Sequence, residues 1–498
     1  MFQKYSSKDY LHFLSSFVSC TIVLYIIAFS AWTIFYTETG NGDNVEHIHS
    51  TWLVAQGKVP YRDFFQHHNP LVWYIFAPIF KMLPNVITML DVAHAIALVA
   101  GFLTFFIVYK ICVRFFASNL ASVISIITLC PVYFYIYCFN YNPDTFMALF
   151  FALGIYYLFK YFDAGKIFHL IISFMSFFIS FMFTQKVLMI LGVLGLISLF
   201  LFYKQKSPIS DIIYSLLLPI LSLLLFIAYL YNQDALSVYW KSNYLFNVVM
   251  QKYYGVNKIS VMEYKMLIFS SILSIISILA IFYKGDKYFK VMSILFVTEL
   301  LLRCFYFSIA PYYMLPMMIF SCCLNSVIIE KIINKKQLFV FLFLAVAMYY
   351  VAISKNKYLS VRGQNRDFAT YISQNIEPCD YVLSGFFGNQ SIISKDPHYY
   401  WSMLGHIDVA GEEVGIYPKP NVNDIVIKYL PKLVFSGIYW DSFSKNRNKN
   451  IAIQQVSSEI LDKYYLPTPF ADFKILKYEY RKKNCKYDKQ KGEWIYEN

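Results

Sequence analysis

Eleven apolar runs long enough to cross about 30 Å of hydrocarbon dominate this chain of 498 residues. They lie at 12–36, 86–109, 117–137, 143–159, 167–183, 187–203, 211–231, 266–283, 291–310, 312–329 and 337–353. A run of that kind must satisfy its backbone polar groups internally, so it is a helix or part of a closed barrel. Gly (18) and Pro (17) are too few for the many turns of a barrel, which leaves helices. Composition agrees. Hydrophobic residues make up 58% and charged residues 15%, against about 25% charge in a soluble domain. A soluble cytosolic enzyme and a disordered chain are both excluded. Nine Cys in 498 residues are too sparse for a disulfide scaffold. The first run, about 25 residues without an A-x-A cleavage site after it, reads as a retained anchor.

The formal charge of +13 is placed unevenly. Lys4, Lys8, Lys110, Arg114, Lys160, Lys166, Lys204, Lys206, Lys284, Lys287, Lys290, Lys331, Lys335 and Lys336 fall in alternate short connections. The positive-inside bias puts those connections and the N-terminus in the cytoplasm. The basic excess is then a topology signal, and no nucleic-acid partner is needed to explain it. Three long segments face outside: 37–85, 232–265 and a tail, 354–498, long enough for a small domain. Within the tail, Asp380–Leu383, Asp424–Ile427, Lys432–Phe435 and Phe473–Leu476 read as short β-rich runs, and 366–375 as a helix. The expected architecture is a polytopic all-α membrane protein of about eleven spans (1–353). A small extracytoplasmic α/β domain follows it. Cys379 and Cys485, both in the tail, can pair in an oxidising compartment.

Candidate chemistry collects in the outer segments. Asp43 opens a helical pattern and shares a face with Glu46, His47 and Ser50; it reads either as a helix cap or as a reactive carboxylate. Four of the nine His (His47, His49, His67, His68) lie in the same loop. Packing and interfacial polarity are the simpler reading. A divalent metal held by Asp43, Glu46 and His47 is the alternative, although their spacing matches no standard ligand set. Arg62 and Asp63 form either a surface ion pair or, through the planar guanidinium, a phosphate contact. Asp144 stands in the first turn of the fourth span, in Asn142-Pro143-Asp144, where the helix dipole favours a carboxylate. Lys186 stands at an outer span junction, where it either snorkels or meets a headgroup phosphate. Glu299 and Arg303 are four apart in the ninth span, a costly place for charge.

Five landmarks in order then carry a resemblance. They are Asp43-Asn-Val-Glu-His-Ile-His; the block from Gly57 to Leu71, with Pro60-Tyr-Arg-Asp-Phe-Phe and His67-His68-Asn69-Pro70; Asn142-Pro143-Asp144; Gln185-Lys186; and, more weakly, Tyr313-Met-Leu-Pro316. Over about 1–350 the chain resembles the GT-C fold glycosyltransferases of the protein-mannosyltransferase and aminoarabinose-transferase type. It departs from them at Asn44, where Glu is frequent; at Asn142, where Arg is frequent; and at His68-Asn-Pro70, where Lys-Pro-Pro is frequent. The resemblance implies a bacterial inner-membrane enzyme that uses a polyprenyl-phosphate-linked sugar donor and inverts configuration. The acceptor is a lipid, a glycan or a protein reached from outside. On that reading Asp43 is the base, and Asp144 positions the acceptor or shares a metal with Asp43. Arg62, Lys186, Arg303, His68 and Tyr313 meet the donor. A transporter or flippase, or a polymerase or ligase of lipid-linked glycans, is the alternative; the absence of internal repeats weighs against transport.

Overall fold

The computed structural model describes residues 42–83, 85–129, 140–254, 261–282, 285–305, 314–332, 358–383, 393–400, 405–418, 421–436, 456–470, 473–488, 490 and 493–496. The expected spans at 12–36 and 337–353 lie outside these residues, as does Tyr313. The outer loop 37–85 holds two helices, α1 (Gly42–Ala55) and the short apolar α2 (Leu71–Phe80). The membrane part continues as α3 (Val86–Phe115), α4 (Asn119–Leu129), α5 (Pro143–Ala164), α6 (Ile167–Phe183), α7 (Leu188–Gln205) and α8 (Ile209–Asn232). After the second outer loop come α9 (Val261–Ile281), α10 (Lys287–Phe305) and α11 (Leu315–Ile332). Among the described residues, Val86–Phe115, Pro143–Ala164, Gln185–Gln205 and Ile209–Asn232 are long and apolar enough to cross a membrane. Helix α6, at 17 residues, is shorter and apolar overall. Observed helices overlap the expected spans closely from 86 to 232. Only Asn119–Leu129 of the 117–137 run is a described helix.

Helix α5 is the pivot of the bundle and packs on α3, α6 and α11. Its contact with α6 is close because small residues line it. Ser173 and Ser180 of α6 donate hydroxyl hydrogen bonds to the carbonyls of Gly154 (2.8 Å) and Met147 (3.0 Å) on α5. Small residues and interhelical hydroxyl bonds are how helices associate in lipid, where burial of apolar surface gives little. A methyl group at Gly154 would stand 2.4 Å from the Phe177 ring. Gly154→Val is therefore expected to destabilise the bundle by about 1–3 kcal/mol, the usual cost of overpacking. Thermal unfolding in detergent checks this, and an unchanged midpoint would contradict the close approach.

The helix ends sort by charge. At one end Arg114 approaches Asp163 (3.9 Å), Lys287 donates to the Phe162 carbonyl (3.2 Å), and Tyr288 bonds Asp163. Tyr161 bonds Asp211 there as well (2.9 Å). This end carries the basic connections. The start of α5 and the α6–α7 junction lie at the opposite end, and α1 docks there.

In the tail, α12 (Tyr358–Asn375) leads into a four-stranded sheet. Its strands are β1 (Val382–Leu383), β2 (Leu433–Phe435), β3 (Tyr465–Pro467) and β4 (Phe473–Leu476), in the order β1-β2-β4-β3. Strand β2 runs parallel to β1 and antiparallel to β4. A separate hairpin joins β5 (Cys485–Asp488) to β6 (Glu493–Tyr496). Cys379 and Cys485 are joined, tying that hairpin to the residues before β1. One expected strand is a helix: Asp424–Ile427 belongs to Val422–Tyr429. The β-branched run suggested a strand, but Asn421 caps the helix, accepting from the amides of Asn423 and Asp424. Val422, Ile425 and Val426 form its buried face at i, i+3, i+4 spacing.

Candidate active site

Helix α1 presents an unusual load of buried polar groups. Asn44, Glu46, His47, His49, Ser50 and Thr51 are all buried, so each needs partners. Asn44 donates to Asn140 (3.4 Å), and Thr51 bonds Tyr141 (3.1 Å). Both contacts pin the helix against the turn that opens α5. Trp73 donates its indole N–H to His47 Nδ1 (3.3 Å). Gln66 bonds Ser50 (2.7 Å). The helix begins at Gly42, which puts Asp43 in its first turn rather than at its cap. There the dipole favours a carboxylate.

The chain then turns sharply. Gly57 and Tyr61 adopt left-handed backbone (φ 83° and 70°), a conformation that costs a Tyr energy. Surrounding contacts hold it: the Tyr61 hydroxyl donates to the His68 carbonyl, and its own carbonyl accepts from Tyr399 (2.7 Å). Three residues of the following strap are clamped from several elements. The His67 carbonyl accepts from Gln185 (2.9 Å) and Asn247 (3.2 Å). Asn69 donates to the Phe181 carbonyl (2.6 Å) and accepts from Tyr239 (2.8 Å). Gln185 also reaches the Asn243 carbonyl (3.1 Å). That carbonyl lies in a π-helical turn, Lys241–Leu245, of the second outer loop, and such turns gather at functional sites.

At the start of α5, Asn142 precedes Pro143 at the first helical position, and Asp144 sits in the first turn. Its side chain is 3% exposed. Lys186, 24% exposed, places its ammonium 3.7 Å from the Asp144 carboxylate. Lys186 stands on a single 3₁₀ turn, Gln185–Val187, between α6 and α7. So two residues 42 positions apart meet because α5 and α6 are antiparallel neighbours. His68 and His47 are neighbours too, with ring centroids 5.0 Å apart. Burial, with His67 and Lys186 nearby, holds both imidazoles well below the usual histidine range, so they are neutral.

Residues 67–231 match the family described as dolichyl-phosphate-mannose-protein mannosyltransferase. That segment contains the His68 strap, Asp144 and Lys186. Among solved structures, ArnT from Cupriavidus metallidurans bound to undecaprenyl phosphate is similar over 80% of this chain and 88% of that chain, with 10% identity and a TM-score of 0.52. This chain has the GT-C fold. No curated protein is a detectable sequence relative. The GT-C architecture and the apolar helices make it an integral membrane protein.

Within this GT-C frame the expected site residues separate. Asp144, Lys186, His68 and His47 come together with the clamped strap. Arg62 does not join them. It is 41% exposed and pairs with Asp63 (2.9 Å) and with Gln233 (3.1 Å), as a surface ion pair would. Asp63 is already committed, because it also accepts from the Val59 amide (2.7 Å). Arg303 lies on α10 and Asp43 on α1, but their side chains lie outside the described residues. Glu299 is buried in α10.

The Asp43 side chain lies outside the described residues, and with it the trio Asp43, Glu46, His47. Among the described residues Glu46 groups with His67 and His68, their ligand atoms all within 4.8 Å of one another. His47 Nδ1 accepts from the Trp73 indole. Sequence reasoning also missed the tail's part in the site. His49 bonds Asp396 (2.9 Å), and the Phe65 amide donates to the Tyr399 carbonyl (2.9 Å). Nothing local in the sequence signals a return across more than 300 residues.

His398, on that returning segment, is half-buried, and burial holds its pKa down at about 4. In the unfolded chain it protonates near the ordinary value of 6.5. The unfolded state therefore binds the extra proton first, and stability falls as pH drops from 6.5 toward 4. His398→Gln is expected to flatten this part of a stability-against-pH profile. An equal acid sensitivity in the variant would show that other groups set it.

Proposed function

We propose that the chain is an inverting glycosyltransferase. It moves a sugar from a polyprenyl-phosphate-linked donor to an acceptor on the outer face of the membrane. The observation that carries this reading is the Asp144–Lys186 pair beside the His68 strap and the first turn of α1. Carboxylates and a cation stand at one helix-end layer of a GT-C fold, where a lipid phosphate at headgroup depth can reach them. Three features support the outer location. The basic connections lie at the opposite end of the bundle. The Cys379–Cys485 disulfide suits an oxidising compartment. The tail returns to pack on the first loop at this end. The similarity to ArnT, whose structure holds undecaprenyl phosphate, supports a polyprenyl phosphate as the lipid.

The chemistry follows from the residue types. An acceptor hydroxyl is a weak nucleophile at neutral pH and needs a base within hydrogen-bond reach. Asp43 is assigned that role. The hydroxyl attacks the anomeric carbon from the face opposite the phosphate, its proton passes to the carboxylate, and configuration inverts. The lipid phosphate leaves as an anion, so positive charge aids its departure more than a general acid does. Lys186 supplies charge from α6–α7, and Arg303 from α10. Asp144 holds Lys186 in place and orients the acceptor. The test is a transfer assay on the purified protein with labelled polyprenyl-phosphate sugars. Release of polyprenyl phosphate with label moved to an acceptor is expected. Movement of intact donor across the bilayer without bond cleavage would favour a flippase instead.

A further inference from the structure

Among the described residues the formal charges at the proposed phosphate site give an anion little net attraction. Among the described residues Lys186 is the cation beside the strap, and Asp144 lies 3.7 Å from it. Glu46 adds a second carboxylate beside His67 and His68. A phosphate monoester carries about −1.5 to −2 at neutral pH.

We propose that Glu46, His67 and His68 hold a divalent metal ion of the zinc class, and that this ion gives the site the positive charge a lipid phosphate requires. The ligand atoms of the three side chains lie within 4.8 Å of one another. Bonds of about 2.0–2.2 Å to a tetrahedral ion put donors about 3.4 Å apart, which small side-chain rotations reach. Two imidazoles and one carboxylate form a mixed nitrogen and oxygen set that suits zinc-class ions better than magnesium or calcium. His68 Nδ1 is buried with no hydrogen-bond partner among the described residues.

Neighbouring His residues usually point apart, yet the rings of His67 and His68 have centroids 4.1 Å apart. The backbone holds them there. Gln185 and Asn247 grip the His67 carbonyl, Tyr61 grips the His68 carbonyl, and Tyr239 and the Phe181 carbonyl fix Asn69. Such fixing of ligand backbones is what a preorganised metal site needs. Three protein ligands leave a fourth position open for an oxygen of the phosphate.

The metal site stands on this geometry alone; its role toward phosphate rests on the function proposed above. The experiment uses the full chain in detergent, stripped with a chelator and titrated with Zn²⁺. Retained metal is measured by elemental analysis, and Co²⁺ substitution gives a visible spectrum. Wild type is expected to retain about one ion per chain. Glu46→Gln is expected to weaken Zn²⁺ binding by about 100-fold or more, since losing even a group that only orients a ligand costs about 10–100-fold. His67→Ala with His68→Ala is expected to abolish it. If the double variant fails to fold, Glu46→Gln decides, because it keeps the side-chain shape. No retained zinc, or equal affinity in Glu46→Gln, overturns the site. Stripping is expected to weaken undecaprenyl phosphate binding by at least the same order, and unchanged binding overturns the phosphate role. Stoichiometric zinc with no sugar transfer from any donor would leave the metal site standing and remove the glycosyltransferase reading.

Discussion

Asp43→Asn is expected to lower sugar transfer by about 10²–10⁴-fold, the range that a positioned general base contributes. Asn keeps the size of the side chain and much of its hydrogen bonding, so the fold should survive. Helix α1 is held mainly by other residues: Asn44 on Asn140, Thr51 on Tyr141, and Gln66 on Ser50. The kcat for transfer should fall while donor affinity changes little, because the base acts on the acceptor. Steady-state kinetics with a fixed donor and varied acceptor, beside a thermal unfolding control, measure this. Full kcat in Asp43→Asn would remove Asp43 as the base.

Lys186→Ala is the second large effect. A hydrogen bond to a charged group is worth about 1.5–3 kcal/mol, so donor affinity should fall by about 10–100-fold. The acceptor KM should hardly move. The variant also removes the Lys186 ammonium from beside the buried Asp144 carboxylate, and weakening a buried ion pair costs stability on its own account. Lys186→Arg separates the two effects: it keeps the charge at Asp144 and should restore folding and much of the donor affinity. Equal donor binding by Lys186→Ala and wild type would mean that Lys186 only anchors Asp144.

Much of the bundle was legible because lipid enforces a simple rule. Apolar length and basic connections mark helices and their direction, and α3, α5, α6, α7 and α8 follow the expected runs. The tail was harder. Asp424-Ile-Val-Ile looks β-rich because β-branched residues favour strands, yet a cap at Asn421 and a buried i, i+3, i+4 face make it helical. In the site, Asp144 and Lys186 were each visible as single residues at helix ends, but their contact depends on α5 pairing with α6. Arg62 carried two readings, and in the fold it pairs with Asp63, which the Val59 amide also holds. Glu46 with His67 and His68 was hidden for a geometric reason. The partners lie on a helix and on a strap about twenty residues further on, brought back by the left-handed turn at Tyr61. Ligand motifs are recognised by short spacing, and this cluster has none. The part played by His49 and Asp396 was hidden likewise, across most of the chain.

The most direct test of the central claim is the transfer reaction itself. Purified protein in nanodiscs is given a panel of labelled polyprenyl-phosphate sugars with lipid, glycan and peptide acceptors. Free polyprenyl phosphate and transferred label are measured together. The account predicts that one donor yields both in equal amounts, with inverted configuration at the anomeric carbon, and that Asp43→Asn yields neither. Retained configuration, or release that persists undiminished in Asp43→Asn, would contradict it.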